Sequence, residues 1–263
     1  MAETTPLDDA FAAMEAAPQD DAARLRFYER LADSELFLLL KKEADGEVLD
    51  PEVFELTDAS FVLVFDREER LAEFVGKIAP YAALSGRVIA GVLAGQGVGL
   101  GLNLEVAPSS HLIPPEGVAW LAETLTEGPQ EAEARPSEFS APQGMPEILI
   151  TALDTKLSTA TGLARKAYLA GVTYDDGSRG HILGITGARA GAQAPLARAI
   201  NEALVFSGIE AGALDVAFLE DDDPAAASLA RVGLRFDLPE PQVPQQLAPS
   251  APGMDPDKPP KLR

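Results

Sequence analysis

The sequence predicts an α+β protein: two small sandwich-like domains joined by a flexible linker. Three observations carry this. Helical and strand periodicities alternate along both halves of the chain. After Thr126 the pattern stops in the run EGPQEAEARPSEFSAPQGMP, rich in Pro, Glu, Ala and Ser, which is the composition of a tether. The second half then restarts in the order α-β-β-α-β-α-β, which sets helices on one face of a mainly antiparallel sheet. The expected divisions are residues 1–126, a linker at 127–146, residues 147–238, and a disordered Pro-rich tail at 239–263.

In the first half, Pro6 opens a helix that runs to Ala16. Asp20 and Asp21 begin the next, with Leu25, Tyr28, Leu31 and Ala32 on one face. Glu35–Leu40 is almost continuously apolar and reads as a strand covered on both faces. Val53–Leu56 and Ser60–Phe65 form a hairpin across Thr57-Asp58-Ala59. Asp66 is expected to cap a helix carrying Leu71, Phe74, Val75 and Ile78. Gly86–Leu93 is a short apolar helix.

Gly95–His111, GQGVGLGLNLEVAPSSH, then alternates glycine with Val98, Leu100, Leu102 and Leu104. Period two marks a strand with one nearly bare face, which another backbone or a helix can approach closely. The helix 86–93 is the expected neighbour on that face. Leu112-Ile113 pairs beside this strand, and Pro114-Pro115 launch a helix with Val118, Leu121 and Leu125 inward. Trp120, the only tryptophan, lies beside that inward stripe.

In the second half, Leu149, Leu153 and Leu157 mark a helix. Lys166–Tyr174 and Arg179–Thr186 form a hairpin across Asp175-Asp176-Gly177-Ser178. Pro195 sits in the first turn of a helix with Leu196, Ile200, Ala203 and Leu204 inward. Leu214–Leu219 reads as a buried strand, Asp223-Pro224 as a helix start, and Leu234–Phe236 as a closing strand.

Composition narrows the function classes. Cysteine is absent, which removes disulfides, thiolate nucleophiles and Cys-based zinc sites. The 42 acidic residues against 21 basic ones give a net charge of −21, a surface that repels nucleic acid and anionic lipid. The expected partners therefore include neither nucleic acid nor membrane. The acidity reads as a solubility device. MAETTPLDDAFAAMEAAPQDD has no basic residue before Arg24 and no apolar run, so no secretory signal is expected. No stretch reaches the about 18 apolar residues of a membrane span. The expected compartment is the cytoplasm.

Candidate sites are few. Asn103, Ser109 and Ser110 close the glycine strand and would line a shallow groove there. Gly97, Gly99 and Gly101 are spaced GxGxG, not as a dinucleotide fingerprint. Gly187, Arg189 and Gly191 lie in a strand-to-helix connection whose amides would cradle an anion, without the Lys of a P-loop. Glu220–Asp223 is the densest charge run and reads as capping and solvation rather than a cation site. His111 and His181 fall in different halves, so no His-pair metal site is expected, and His181 reads as a hydrogen-bonded strand residue. No catalytic residues, cofactor or metal are expected.

The runs LDDAFAAM, RFYERLADSELFLLL, FVLVFDREERLAEF and GLGLNLEVAPSS…LIPPEGVAWLAETL resemble the N-terminal domain of the SseB family, named for enhanced serine sensitivity in enteric bacteria. KAYLAGV, HILGITG, LDVAFLEDDD and VGLRFDLP resemble that family's C-terminal domain, so the resemblance covers most of residues 6–238. It implies a two-domain bacterial cytoplasmic protein with no agreed catalytic residues and a link to serine or sulfur amino-acid metabolism through partners. Three expectations follow. The first is a non-catalytic binding or regulatory protein with a protein partner. The second is a small-molecule sensor or a weakly recognisable enzyme. The third, through the shared family name alone, is a secretion-associated protein. An exposed apolar strand edge would also allow a homo-oligomer.

Overall fold

The computed structural model describes residues 4–44, 48–56, 59–126, 135–209 and 214–241. Two mixed sheets, each with its own core, make up the α+β architecture. The first half comprises α1 (Pro6–Ala16), α2 (Asp21–Asp33), β1 (Glu35–Leu39), β2 (Val53–Glu55), β3 (Ser60–Phe65), α3 (Glu68–Val75), β4 (Tyr81–Ser85), α4 (Gly86–Leu93), β5 (Val98–Leu102), β6 (His111–Ile113) and α5 (Pro115–Thr126). The second comprises β7 (Pro136–Ser140), α6 (Glu147–Thr159), β8 (Lys166–Tyr174), β9 (Arg179–Thr186), α7 (Gln193–Phe206), β10 (Asp215–Leu219), α8 (Pro224–Val232) and β11 (Leu234–Asp237).

The first sheet runs β4-β1-β3-β5-β6, with β2 on β3. β3 and β5 are parallel; the other pairs are antiparallel. β1 is covered on both faces, as its unbroken apolar run requires. Leu36 and Leu38 enter one core cluster, and Leu39 the opposite one with Leu63, Phe65 and Leu71.

The glycine strand departs from expectation. A methyl group at Gly99 would lie 2.5 Å from the Phe61 ring and 2.6 Å from the Ile113 carbonyl oxygen; one at Gly101 would lie 2.6 Å from Leu63. Phe61 and Leu63 are their register partners on parallel β3, so the neighbouring strand's own side chains cover the bare face. α4 does not fill it: Ile89, Ala90 and Leu93 join the cluster of Leu100 and Leu102, which point the other way. α4 is instead locked to α2. The Gly86 amide donates to the Ser34 carbonyl at 3.0 Å, and a methyl at Gly86 would fall 2.0 Å from the Leu31 oxygen.

Three further readings are corrected. Asp66 does not cap α3; Arg67 holds that position without a side-chain cap, because the Asp66 carboxylate is drawn to Arg70 one turn along. β4, between two helices, is an additional edge strand on β1. Its half-exposed YAALS carries no β-branched residue and two alanines, so it does not announce a strand. Pro136–Ser140, within the stretch read as linker, is β7 and pairs with β8. The remainder of that stretch at 127–134, part of the Thr57-Asp58-Ala59 turn, and 242–263 of the tail lie outside the described residues.

The second sheet runs β10-β9-β8-β11, with β7 on β8. α6 and α7 cover one face through Leu149, Leu153, Leu196 and Ile200. α8 covers the opposite face, where Leu229 meets Tyr168, Ala170 and Ile182, so helices sit on both faces rather than one. β10 is parallel to β9, connected through α7, and lies at the sheet edge, half-buried rather than buried. Asp223 caps α8 as expected, accepting from the Ala225 amide at 2.8 Å.

The halves meet through α2, α4, α6 and α7. Phe206 of α7 is buried in the first-half core and stacks edge-on against Trp120, which in turn meets Tyr28. Around this contact Lys156 reaches Asp33 at 2.6 Å, Glu202 at 3.2 Å and Glu29 at 3.4 Å. Arg87 grips both oxygens of Glu202, at 3.0 and 3.1 Å. Burial pushes the Glu29 carboxyl above its ordinary value, with Lys156 opposing it. At Asp33, burial also acts upward, but Lys156 and Arg87 outweigh it and hold the carboxyl low.

Candidate functional site

Two places carry the sequence-derived candidates, one in each half. At the end of β5, Asn103 takes a left-handed conformation (φ 46°), which asparagine tolerates better than most residues. This turns the chain so that Asn103 and Ser109 both point inward, and both are fully buried. Asn103 Oδ1 accepts from the Asp66 amide at 3.1 Å, and its Nδ2 donates to Ser109 Oγ at 2.9 Å. Ser109 Oγ donates to Asp8 Oδ1 at 2.5 Å. Arg70 donates to Asp8 at 2.5 and 3.2 Å and to Asp66 at 2.7 Å. Thr5 Oγ1 donates to Asp66 at 2.6 Å and accepts from the Asp8 amide.

The result is a closed chain of hydrogen bonds from α1, the start of α3 and the β5 end. Among the described residues no buried side-chain polar atom lacks a partner. Burial would raise the Asp8 carboxyl, but bonds from Arg70, Ser109 and Thr5 outweigh it and lower the pKa to about 2. Asp8 is therefore a carboxylate at neutral pH, fully bonded and shielded from water. Ser110, by contrast, is exposed and accepts from the Glu105 amide.

The second place is the connection from β9 to α7. β9 and β10 are parallel, and the connection leaves from the carboxyl end of β9. After Thr186 the chain turns at Gly187 (φ 65°), where a side chain would also strike Arg165: its Nε would be 2.3 Å from a methyl there. The Arg189 amide donates to Leu163 and fixes the loop, while its side chain is exposed. Gly191 (φ 79°) completes the turn into α7.

A groove of about 350 Å³ is lined by Gly162, Arg165, Gly187 and Arg189 on one side and by Pro239 and Glu240 on the other. A second hollow of about 380 Å³ adjoins it across Arg165, which is ion-paired with Asp221. The structure thus joins Asn103 to Ser109, and Gly187 to Arg189, and keeps the two sets in different halves. Sequence reasoning missed Arg165, which precedes a strand without any motif. Arg70 had a signal: it lies four residues after Asp66 at helical spacing.

Other candidates resolve structurally. His181 Nε2 lies 2.9 Å from the Gln143 carbonyl oxygen. His111 packs against the rings of Phe11 and Phe27, where burial lowers its pKa. Among the described residues no group of His, Asp and Glu is arranged to hold a metal, and no helix is long and apolar enough to cross a membrane.

Residues 7–120 match the SseB protein N-terminal domain. That span runs from Leu7 in α1 to the middle of α5, and so includes the whole first sheet and all of the Asp8–Asn103 cluster except Thr5. No curated protein and no solved structure matches the chain.

Proposed function

We propose that this chain is a non-catalytic binding or regulatory protein of the SseB type, acting in the cytoplasm on a protein partner. One observation supports it above the others. The buried acid, hydroxyl and guanidinium groups of Asp8, Ser109 and Arg70 have the composition of a reactive centre, yet their hydrogen bonds are spent on one another. Ser109 already donates its proton to a carboxylate that Arg70 neutralises, which leaves it neither activated nor accessible as a nucleophile. The cluster reads as a fastener holding α1 to the sheet. A link to serine or sulfur amino-acid metabolism is part of this proposal and rests on the family match alone.

The test incubates the full chain with a metabolite extract and follows every component by mass spectrometry. Its counterpart measures binding of candidate partners by analytical ultracentrifugation. Stoichiometric complex formation without consumption of any metabolite is expected. Turnover that disappears in a Ser109→Ala variant with unchanged folding would overturn the proposal. A second reading, a small-molecule sensor, is favoured by the groove between Arg165 and Arg189.

A further inference from the structure

We infer that the groove at the carboxyl end of β9 is a binding site for a small anion carrying a carboxylate or a phosphate, held by Arg165 and Arg189. This deepens the sensor reading and rests on it. The protein carries a net charge of −21, so two arginines lining one concavity stand out against the surrounding field. Arg189 makes no ion pair among the described residues, and its guanidinium is exposed beside Gly162. Arginine's planar fork matches the oxygens of carboxylates and phosphates.

The backbone around the groove is built for close approach. Gly162 and Gly187 both have positive φ, and neither leaves room for a side chain: a methyl at Gly162 would meet the Pro241 ring at 2.5 Å. The Gly162 amide donates to the Pro239 oxygen at 2.8 Å, and the Leu238 amide to the Arg165 oxygen at 3.1 Å. These bonds fix one wall to the other, so the groove is preorganised rather than formed by a mobile flap. Two carboxylates tune it. Asp221 occupies Arg165, and Glu240 lines the groove itself. Both compete with an incoming anion, which gives the site a built-in weak affinity that their removal relieves.

The test is an NMR titration of the full chain with inorganic phosphate in one arm and acetate in the other, at constant ionic strength. Saturable shifts at the Gly162, Gly187 and Arg189 amides are expected, and the stronger arm identifies the headgroup. Arg189→Ala is expected to weaken binding about tenfold or more. Asp221→Asn and Glu240→Gln are expected to tighten it several-fold, a gain that damage to folding would not produce. Arg189→Lys, which keeps the charge but not the fork, is expected to fall between. Shifts that fail to saturate, or a curve unchanged by Arg189→Ala, overturn the site. A third arm with uncharged metabolites separates the two failures: saturable shifts with one of these and none with either anion overturn the anion site and leave the sensor reading standing.

Discussion

Lys156 Nζ donates to Asp33 Oδ2 at 2.6 Å, joining α6 of the second half to α2 of the first across 123 residues of chain. Lys156 is nearly fully buried, and so is Glu202, one of its two further partners with Glu29. A flexible tether would let two independent domains drift. This ion cluster, with Phe206 seated in the opposite core, ties the two halves to each other at this contact. Replacing Lys156 by Met would leave Glu29, Asp33 and Glu202 together, with Arg87 pairing only the last two. Breaking a buried pair from one side costs about 3–5 kcal/mol. The expected outcome is a fall in Tm on the order of 10 °C by calorimetry. Trp120 fluorescence should change in the same transition, since its ring bridges Tyr28 and Phe206. An unshifted Tm would show that the cluster contributes nothing net.

Asp8 sets an acid limit on the first half. Its carboxyl ionises at about 2 in the folded state and near 3.8 when free. A lowered folded-state pKa means the contribution is fully present above about pH 4 and is lost as pH falls towards 2. The lost amount is about 2 kcal/mol. Urea unfolding across this window should show the decline, and an Asp8→Asn variant should show a flatter profile from a lower starting point. A parallel decline in both proteins would assign the acid limit elsewhere.

Two glycines of one helix should respond in opposite directions. Gly86→Ala would drive a methyl into the Leu31 carbonyl and prise α4 from α2, a large destabilisation of the kind overpacking produces. Gly91, also in α4, has open space around it and an ordinary helical φ. Gly91→Ala should therefore stabilise by about 0.4–1 kcal/mol through the unfolded chain's entropy. Chemical denaturation of both variants decides this, and a destabilising Gly91→Ala would refute the account of α4.

Much of the architecture was legible because it is written in local periodicity. The limits of α1 and α4 follow from Pro6 and from the apolar run ending at Leu93. What escaped depends on groups distant in sequence. Asp66 looked like a cap because aspartate before a helix usually is one; Arg70 is one turn along, but only the fold brings Thr5 to Asp66 and Asp8 to Arg70. Gly99 and Gly101 announced a bare face, but which residue covers it depends on β3 being the parallel neighbour. β7 hid in a stretch whose proline and glutamate content argues against a strand, and it survives as an exposed outer strand held mainly by backbone pairing with β8. At the candidate sites, the sequence identified Asn103, Ser109 and Arg189 as residue types but carried no sign that the first two are buried together and the third is open.

Asn103 distinguishes a structural role from a ligand role at the β5 end. It supplies an acceptor to the Asp66 amide and a donor to Ser109, and it sits in the left-handed region. Asn103→Ala removes both bonds, leaves a buried amide unsatisfied and adds backbone strain, together about 3 kcal/mol. Asn103→Gly loses the same bonds but relaxes the backbone, so it should be the milder of the two. The expected order of stability is Asn, then Gly, then Ala, read from urea midpoints. None of the variants should alter phosphate or acetate binding in the second half. An alanine variant as stable as the parent would mean that these bonds do not hold the β5 end closed, and would refute the structural role of Asn103.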